Sequence, residues 1–245
     1  MKNGTNKILV VIGVLVLIAM VAVLAVTLNK NSSSDKKTIS ATGTYTMTVD
    51  PDKAEVYLSI QTEGKTATEV KDGNARKSTA VYDSLRGIGI STKDIETTQN
   101  YLQPQYDYTD GKSTLKGYIY INTIKVSTLD LDKVGVIIDK AVDAGATGVD
   151  NIQFVLTTDK EKDLKIQALA KATEDARLKG EAIAQGLKAE LGDLVSVQES
   201  NFYYPPIYYA RADMAVGGGE KVIPPVNPGK LEISSSVSAV FEIKQ

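Results

Sequence analysis

The chain of 245 residues contains no cysteine and no histidine. The lack of cysteine excludes a disulfide framework, a thiolate nucleophile and a thiolate metal site. The lack of histidine removes the side chain whose ordinary pKa lies nearest neutrality and which is the commonest metal ligand. Together, the two absences exclude Ser-His-Asp and Cys-His catalysis and most zinc chemistry. We therefore predict a protein that is not an enzyme and holds no cofactor or metal, although chemistry based on carboxylates, lysine or tyrosine stays open.

A basic surface is also missing. Residues 38–245 contain 29 acidic and 23 basic side chains, without a stripe of lysine or arginine. Because the neutralisation of phosphates supplies most of the affinity for nucleic acid, we predict no nucleic-acid partner. This part of the chain is long enough to bury a core, as one domain or as two subdomains.

One long apolar run stands near the N-terminus. Ile8–Leu28 contains no charged residue and would form a helix of about 30 Å, enough to cross a bilayer core. A secretory signal has a shorter apolar region of about 7–15 residues and a small-x-small cleavage site. We therefore predict a single transmembrane anchor after a cytoplasmic tail of residues 1–7, followed by a linker at 29–37 and an extracytoplasmic domain at 38–245. A cleaved signal, giving a secreted or periplasmic protein, is the alternative.

The linker contains Asn31-Ser32-Ser33, which matches the acceptor pattern for N-glycosylation. Outside the membrane, Asn31 would be accessible to modification. The other interpretation is a polar linker that matches a loose pattern by coincidence, and this interpretation is the one we favour.

The periodicity of apolar residues predicts an α+β fold. Alternation of period two indicates strands, and the first two, separated by Asp50-Pro51-Asp52, read as a hairpin. Period 3.6 indicates helices that end at glycines. The predicted strands lie at 38–49, 54–61, 95–106, 115–127, 151–157, 194–198 and 230–244, and the predicted helices at 66–86, 130–144 and 160–189. The architecture expected is antiparallel hairpins with three helices packed on one face, which leaves the Thr/Ser-rich strand faces either in solvent or in contact with neighbouring subunits.

Residues 201–229 show no periodicity and contain five of the seven prolines. The segment also carries five aromatic residues, Phe202, Tyr203, Tyr204, Tyr208 and Tyr209. So many aromatic side chains are costly to leave in water, which predicts burial against a partner or a neighbouring subunit. An arm tucked over the chain's own sheet is the equal alternative.

Five more tyrosines crowd one predicted hairpin: Tyr101, Tyr106, Tyr108, Tyr118 and Tyr120. A radical sink or a ligand platform is one interpretation. Strand propensity and packing within the fold is the other, which we favour because tyrosine is enriched in strands for that reason.

Several short segments follow one another in a characteristic order. They are Gly43…Pro51-Asp52-Lys53-Ala54-Glu55, Asp94-Ile95-Glu96-Thr97, Pro104-Gln105-Tyr106, Lys116-Gly117-Tyr118, Leu131-Asp132-Lys133-Val134-Gly135, Ala144-Gly145-Ala146, Ala172…Asp175-Ala176-Arg177, Ala182…Gly186 and Pro225…Pro228-Gly229. In this order and spacing they resemble the SIMPL-domain family, a domain of unknown function found in bacterial periplasmic and outer-membrane immunogenic proteins and in archaeal envelope proteins. The resemblance covers residues 38–245.

The resemblance implies an exported α+β protein that forms ring-like or channel-like assemblies and is loosely associated with envelope and oxidative stress. It brings no catalytic residues. With the predicted anchor, it leads to our first hypothesis, a membrane-anchored envelope protein that acts by homo-oligomeric assembly or by binding. A carboxylate-based hydrolase of envelope glycans, with two acids facing each other across a cleft, is the second hypothesis. A stress-protective binder with an apolar pocket near Tyr118 and Tyr120 is the third.

Overall fold

The computed structural model describes Met20 and residues 37–109, 111–212 and 228–244. Strands and helices follow in an α+β order. They are β1 (Thr38–Val49), β2 (Lys53–Gly64), α1 (Ala67–Gly87), β3 (Ile95–Thr109), β4 (Lys112–Thr128), α2 (Lys133–Asp143), β5 (Gly148–Val155), α3 (Thr158–Gly186), β6 (Glu190–Tyr203), β7 (Ile207–Ala212) and β8 (Leu231–Lys244). A 3₁₀ turn at Thr92–Asp94 precedes β3.

The strands form two sheets, ordered β1-β8-β6 and β3-β4-β2-β5-β7. The chain divides into two compact units. Of the described residues, those within 1–43, 173–199 and 237–245 form the first unit, and those within 44–172 and 200–236 form the second.

In the second unit, β2 organises the five-stranded sheet. It pairs antiparallel with β4 in continuous register and with β5 as far as Ser59. Alternate β2 side chains from Ala54 to Ile60 are fully buried, because α1 and α2 cover that face of the sheet. Val81 and Leu85 of α1 and Ile137 of α2 pack into the same core. The hydrophobic alternation of β2 therefore directs one face to the helices and the other to solvent.

The helix α3 carries a stripe of small residues at every fourth position. Ala168, Ala172, Ala176, Gly180 and Ala184 are all buried. In the first unit, Ala176 packs with Ala41, Ala239 and Phe241. A Cβ atom placed on Gly180 would lie 3.2 Å from the ring of Phe241. The small side chains thus allow the backbone of α3 to approach the strands closely.

The predicted α+β class with antiparallel sheets and three helices is confirmed, but the predicted β1–β2 hairpin is wrong. The two strands belong to different sheets. Between them, the carboxylate of Asp52 accepts hydrogen bonds from the backbone N–H and the hydroxyl of Thr157, at 2.7 and 2.8 Å. These bonds fix the start of β2 to the end of β5, so the connection does not fold back as a tight turn.

Two further predictions concern the ends of the chain. The prediction of a loop at 201–229 is wrong for residues 201–203 and 207–212, because β6 continues to Tyr203 and β7 pairs with β5. Residues 213–227 lie outside the described part. The predicted anchor at 8–28, of which only Met20 is described, and Asn31 also lie outside it. Among the described residues, no helix is long and apolar enough to cross a membrane.

Candidate assembly surface

The end of β6 and the start of β7 position the aromatic segment. Neighbouring residues of an extended chain point in opposite directions. Phe202 and Tyr204 accordingly point inward and are half-buried, whereas Tyr203 between them is 64% exposed. Pro205 and Pro206 separate the two strands.

Phe202 and Tyr204 are held against α3. Their ring centres lie 6.0 Å apart, and both rings pack on a cluster that includes Leu164 and Ala168. The ammonium of Lys165 lies 5.7 Å from the centre of the Phe202 ring, within the range of a cation–π interaction. These contacts anchor the segment within the second unit.

The Tyr204 hydroxyl donates a hydrogen bond to Oε2 of Glu161 at 3.1 Å. Burial of the ring, followed by this bond to a carboxylate, raises the pKa of Tyr204 to about 12. Both effects disfavour the phenolate, because it would be poorly solvated and would face a negative charge. Tyr204 is therefore a neutral donor that ties the segment to α3.

Tyr208 and Tyr209 lie in β7, opposite Gln153 and Ile152 of β5. The Tyr208 side chain is 61% exposed. The structure thus divides the predicted interface residues: Phe202 and Tyr204 tuck into the chain's own core, while Tyr203 and Tyr208 face solvent. For Tyr209, the structure describes only the backbone, which pairs with Ile152.

The β3–β4 hairpin presents a second aromatic surface. The ladder between β2 and β4 ends where Gly64 pairs with Tyr118, and beyond it β3 and β4 pair with each other down to Thr109 and Lys112. The exposed large hydrophobic side chains on this hairpin are Tyr101, Leu102, Tyr106, Tyr108 and Leu115. Sequence reasoning favoured packing within the fold for these tyrosines. Tyr118 and Tyr120 are half-buried, as packing predicts. Tyr101, Tyr106 and Tyr108 lie in β3, as strand propensity predicts, but their side chains are exposed and not packed within the fold.

The hydroxyl-rich face of β1 is exposed, which leaves it open to solvent or to a neighbouring subunit, the two alternatives predicted. The even-numbered residues from Thr38 to Thr48 are exposed, and the residues between them are buried or half-buried. On β8, Ser234, Ser236 and Ser238 are half-buried and alternate with buried residues.

The polar face of the five-stranded sheet carries a ladder of charges. Lys53 bonds Glu55 at 2.6 Å, and Lys125 bonds Glu96 at 2.7 Å. The bond to Lys125 lowers the pKa of Glu96, and the same bond raises the pKa of Lys125. Burial, and then the charge of Glu55, raises the pKa of Tyr57. The Lys125–Glu96 pair joins the neighbouring strands β4 and β3, whereas Lys53 and Glu55 pair within β2.

The carboxylates nearest the aromatic segment have structural partners. Asp52 binds Thr157, Glu55 binds Lys53, and Glu161 accepts from Tyr204. On α3, the ion pairs Asp175–Lys179 and Arg177–Glu181 lie at the surface. Among the described residues, no group of three or more acids could hold a metal ion. These bonds give Asp52, Glu55 and Glu161 a role in the fold.

Two shallow clefts occur in the described part of the second unit. One, of about 370 Å³, is lined by Ser59, Gln61, Glu63, Lys77, Thr147 and Gly148. The other, of about 340 Å³, lies beside the hairpin and is lined by Lys65, Asp107, Thr109, Thr114, Leu115 and Lys116. Both linings are mainly polar, and neither includes Tyr118 or Tyr120, where an apolar ligand pocket was predicted.

Fold and surface together define an α+β protein of two antiparallel sheets, whose most distinctive surface features are exposed aromatic side chains. Residues 39–241 match the family model SIMPL, described as a protein of unknown function (DUF541). The match covers most of the chain, so the chain belongs to the SIMPL family, as its motifs predicted.

Named relatives extend the comparison. The chain is 30% identical over 214 residues to the "26 kDa periplasmic immunogenic protein" of Brucella melitensis, covering 84% of each chain. The protein of the same name from Brucella abortus gives the same identity and coverage. The chain is also 28% identical over 219 residues to "Uncharacterized protein YggE" of Escherichia coli K12, covering 87% of this chain and 86% of that one. The names of these relatives assign no enzymatic activity.

Proposed function

We propose that the chain is an extracytoplasmic protein of the cell envelope, tethered by residues 8–28, that acts by assembling with copies of itself and not by catalysis. The periplasmic name of the Brucella relatives supports the location. The apolar run supports the tether. On the basis of the family resemblance alone, we propose that this assembly operates under envelope and oxidative stress.

One observation carries the proposal of assembly. Tyr203 and Tyr208 are exposed on a segment whose neighbours Phe202 and Tyr204 are fixed against α3. A tyrosine held on a rigid strand loses little conformational entropy when a partner covers it, and such residues are frequent hot spots of interfaces. The segment therefore suits burial by a neighbouring copy.

The test is the mass in solution of residues 38–245, measured by light scattering over a range of concentrations. The expected result is a defined oligomer. The double variant Tyr203→Ser/Tyr208→Ser should dissociate at concentrations at least tenfold higher, because the loss of two hot-spot tyrosines costs about 2 kcal/mol or more. Substitution is preferable to deletion, since β7 belongs to the sheet.

Leu129→Ser is the matched control, because Leu129 is a similarly exposed apolar residue outside the aromatic segment. Its mass should equal that of the unchanged protein. A monomer at all concentrations would contradict assembly. An oligomer that persists in the tyrosine variant would support assembly but would show that the contact lies outside Tyr203 and Tyr208.

A further inference from the structure

The strand β2 has a free edge where β5 leaves it. β5 starts at Gly148 and pairs with β2 only as far as Ser59, whereas β2 continues further. Beyond Ser59, two side chains take the place of the missing strand. The hydroxyl of Thr147 accepts a hydrogen bond from the backbone N–H of Gln61 at 2.9 Å, and the ammonium of Lys77 donates to the Gln61 carbonyl at 3.3 Å. The cleft of about 370 Å³ opens at this point, and we call it the β2 cleft.

The β2 cleft contains two opposite charges that do not neutralise each other. The stem of Lys77 lies beside Gly145, where a Cβ atom would meet its carbons at 3.6–3.9 Å, and its ammonium is held by the Gln61 carbonyl. The carboxylate of Glu63 accepts from the side-chain amide of Gln61 at 2.9 Å. Among the described residues, neither charge has an ion-pair partner. Each charge is oriented by an uncharged group, so the cleft is complementary to a ligand that carries both signs.

The other polar groups of the cleft mainly accept hydrogen bonds. The Ser59 hydroxyl donates to Oδ1 of Asp150, and the Thr147 hydroxyl donates to the carbonyl of Ser59 at 3.1 Å. A hydroxyl carries a single proton, so both oxygens can only accept from a ligand. The Gln61 amide donates to Glu63, and within the described part of the chain its oxygen has no donor. A ligand side chain that binds here must therefore donate hydrogen bonds.

We propose that the β2 cleft binds a free α-amino acid whose side chain donates hydrogen bonds, such as glutamine. The ligand carboxylate pairs with Lys77, its ammonium pairs with Glu63, and its side-chain amide donates to Ser59 and Gln61. The volume of the cleft lies within the range of small-molecule sites, about 300–1,000 Å³. The inference is independent of assembly, because no residue of the aromatic segment lines the cleft.

The test is isothermal titration calorimetry of the full-length protein with L-glutamine and three analogues. L-Glutaminamide lacks the carboxylate, N-acetyl-L-glutamine lacks the ammonium, and L-glutamate has a second carboxylate in place of the donating amide. Each analogue should bind at least tenfold more weakly than L-glutamine, because each loses a charged or donated hydrogen bond. Equal affinity for L-glutamine and any analogue overturns the proposal, as does the absence of L-glutamine binding at about 10 mM.

The variant Lys77→Met locates the ligand carboxylate. It should weaken the binding of L-glutamine at least tenfold and bring the affinities for L-glutamine and L-glutaminamide close together, since the analogue has no carboxylate to lose. Lys71→Met is the matched control, because Lys71 is an exposed lysine of the same helix outside the cleft. It should bind L-glutamine as the unchanged protein does. An equal loss in the two variants would count against a contact with Lys77.

A second variant blocks the cleft and keeps both charges. Gly148 lies opposite Ser59, and among the described atoms a Cβ on it would meet only the Ser59 hydroxyl oxygen, at 3.9 Å. The strand therefore accommodates Gly148→Val, whose side chain occupies part of the cleft. L-Glutamine binding should fall at least tenfold, while circular dichroism and the midpoint of urea unfolding stay unchanged. Binding that survives either Gly148→Val or Lys77→Met overturns the proposal.

Discussion

Tyr204 fixes the aromatic segment to α3, and Tyr204→Phe tests that role. The variant keeps the ring contacts and loses the hydrogen bond to Glu161. We expect the free energy of unfolding to fall by about 1 kcal/mol at neutral pH. The measurement is urea unfolding of residues 38–245, followed by circular dichroism.

The pH dependence of this difference follows from the raised pKa. The ordinary value for tyrosine is 10, and in the fold the pKa of Tyr204 is about 12. Between these values the unfolded chain loses the proton while the folded chain keeps it, so the unfolded state binds fewer protons and stability falls as pH rises. The stability difference from Tyr204→Phe should therefore be complete below pH 10 and shrink above it. Tyr203→Phe, which changes an exposed hydroxyl, should behave as the unchanged protein; an equal effect of both variants would contradict the role of Tyr204.

A chain of buried polar side chains fixes α1 to the sheet. The amide of Asn74 donates to the carbonyl of Ile60 at 2.6 Å and accepts from Ser78, whose hydroxyl in turn accepts from Asn122. Asn74→Ala would leave several buried groups without partners and should cost about 2–3 kcal/mol. Asn122→Leu should cost clearly less, because Oδ1 of Asn122 has no hydrogen-bond partner among the described atoms. Urea unfolding of both variants gives the order, and a reversed order would contradict this account.

At the scale of the element, α3 depends on its small residues. Ala176 is fully buried against Ala41, Ala239 and Phe241, so a larger side chain has no space there. Ala176→Leu should lower the free energy of unfolding by about 2–3 kcal/mol, since overpacked cores shift backbone and rotamers. Ala182→Leu is the matched control on the exposed side of the same helix and should change stability by less than about 0.5 kcal/mol. Similar losses in the two variants would mean that helix packing does not limit residue size here.

The elements also show what the sequence could and could not predict. Alternation located β1 and β2 almost to the residue, because side-chain periodicity follows directly from burial of one strand face. It could not predict that they join different sheets, since that choice depends on pairing with strands far along the chain: β1 neighbours β8, whereas β2 pairs with β4 and β5. Residues 207–212 carry no alternation because β7 is a short edge strand, held mainly by backbone pairing with β5.

The same distinction applies to the candidate site. The sequence indicated that residues 202–209 carry too many aromatics for free solvent exposure, and the structure buries Phe202 and Tyr204 within the chain. Which tyrosines remain outside depends on the direction of each side chain at the end of β6. The exposure of Tyr106 and Tyr108 depends on where β2 stops pairing with β4, a tertiary feature without a local signal.

At the scale of the whole molecule, the predicted tether determines whether assembly happens in a membrane plane or in free solution. Copies held at a membrane are concentrated in two dimensions, so weak contacts between them suffice for assembly. We expect the full-length chain to stay in the membrane pellet after alkaline carbonate extraction, because a helix formed by residues 8–28 would be inserted in the bilayer. Residues 38–245 expressed alone, behind an exchangeable secretion signal, should appear in the soluble fraction.

The mass of the mature chain distinguishes an anchored protein from one whose N-terminal segment is cleaved as a secretion signal. An anchored protein keeps residues 8–28, and intact-mass measurement of the extracted chain should show them. Release by carbonate together with a mass that begins beyond the apolar run would instead show a cleaved signal and a freely diffusing protein. In that case assembly would depend on the affinity of the folded domain alone. The tenfold effect expected of the Tyr203 and Tyr208 substitutions would then have to appear at the concentration of the protein in solution.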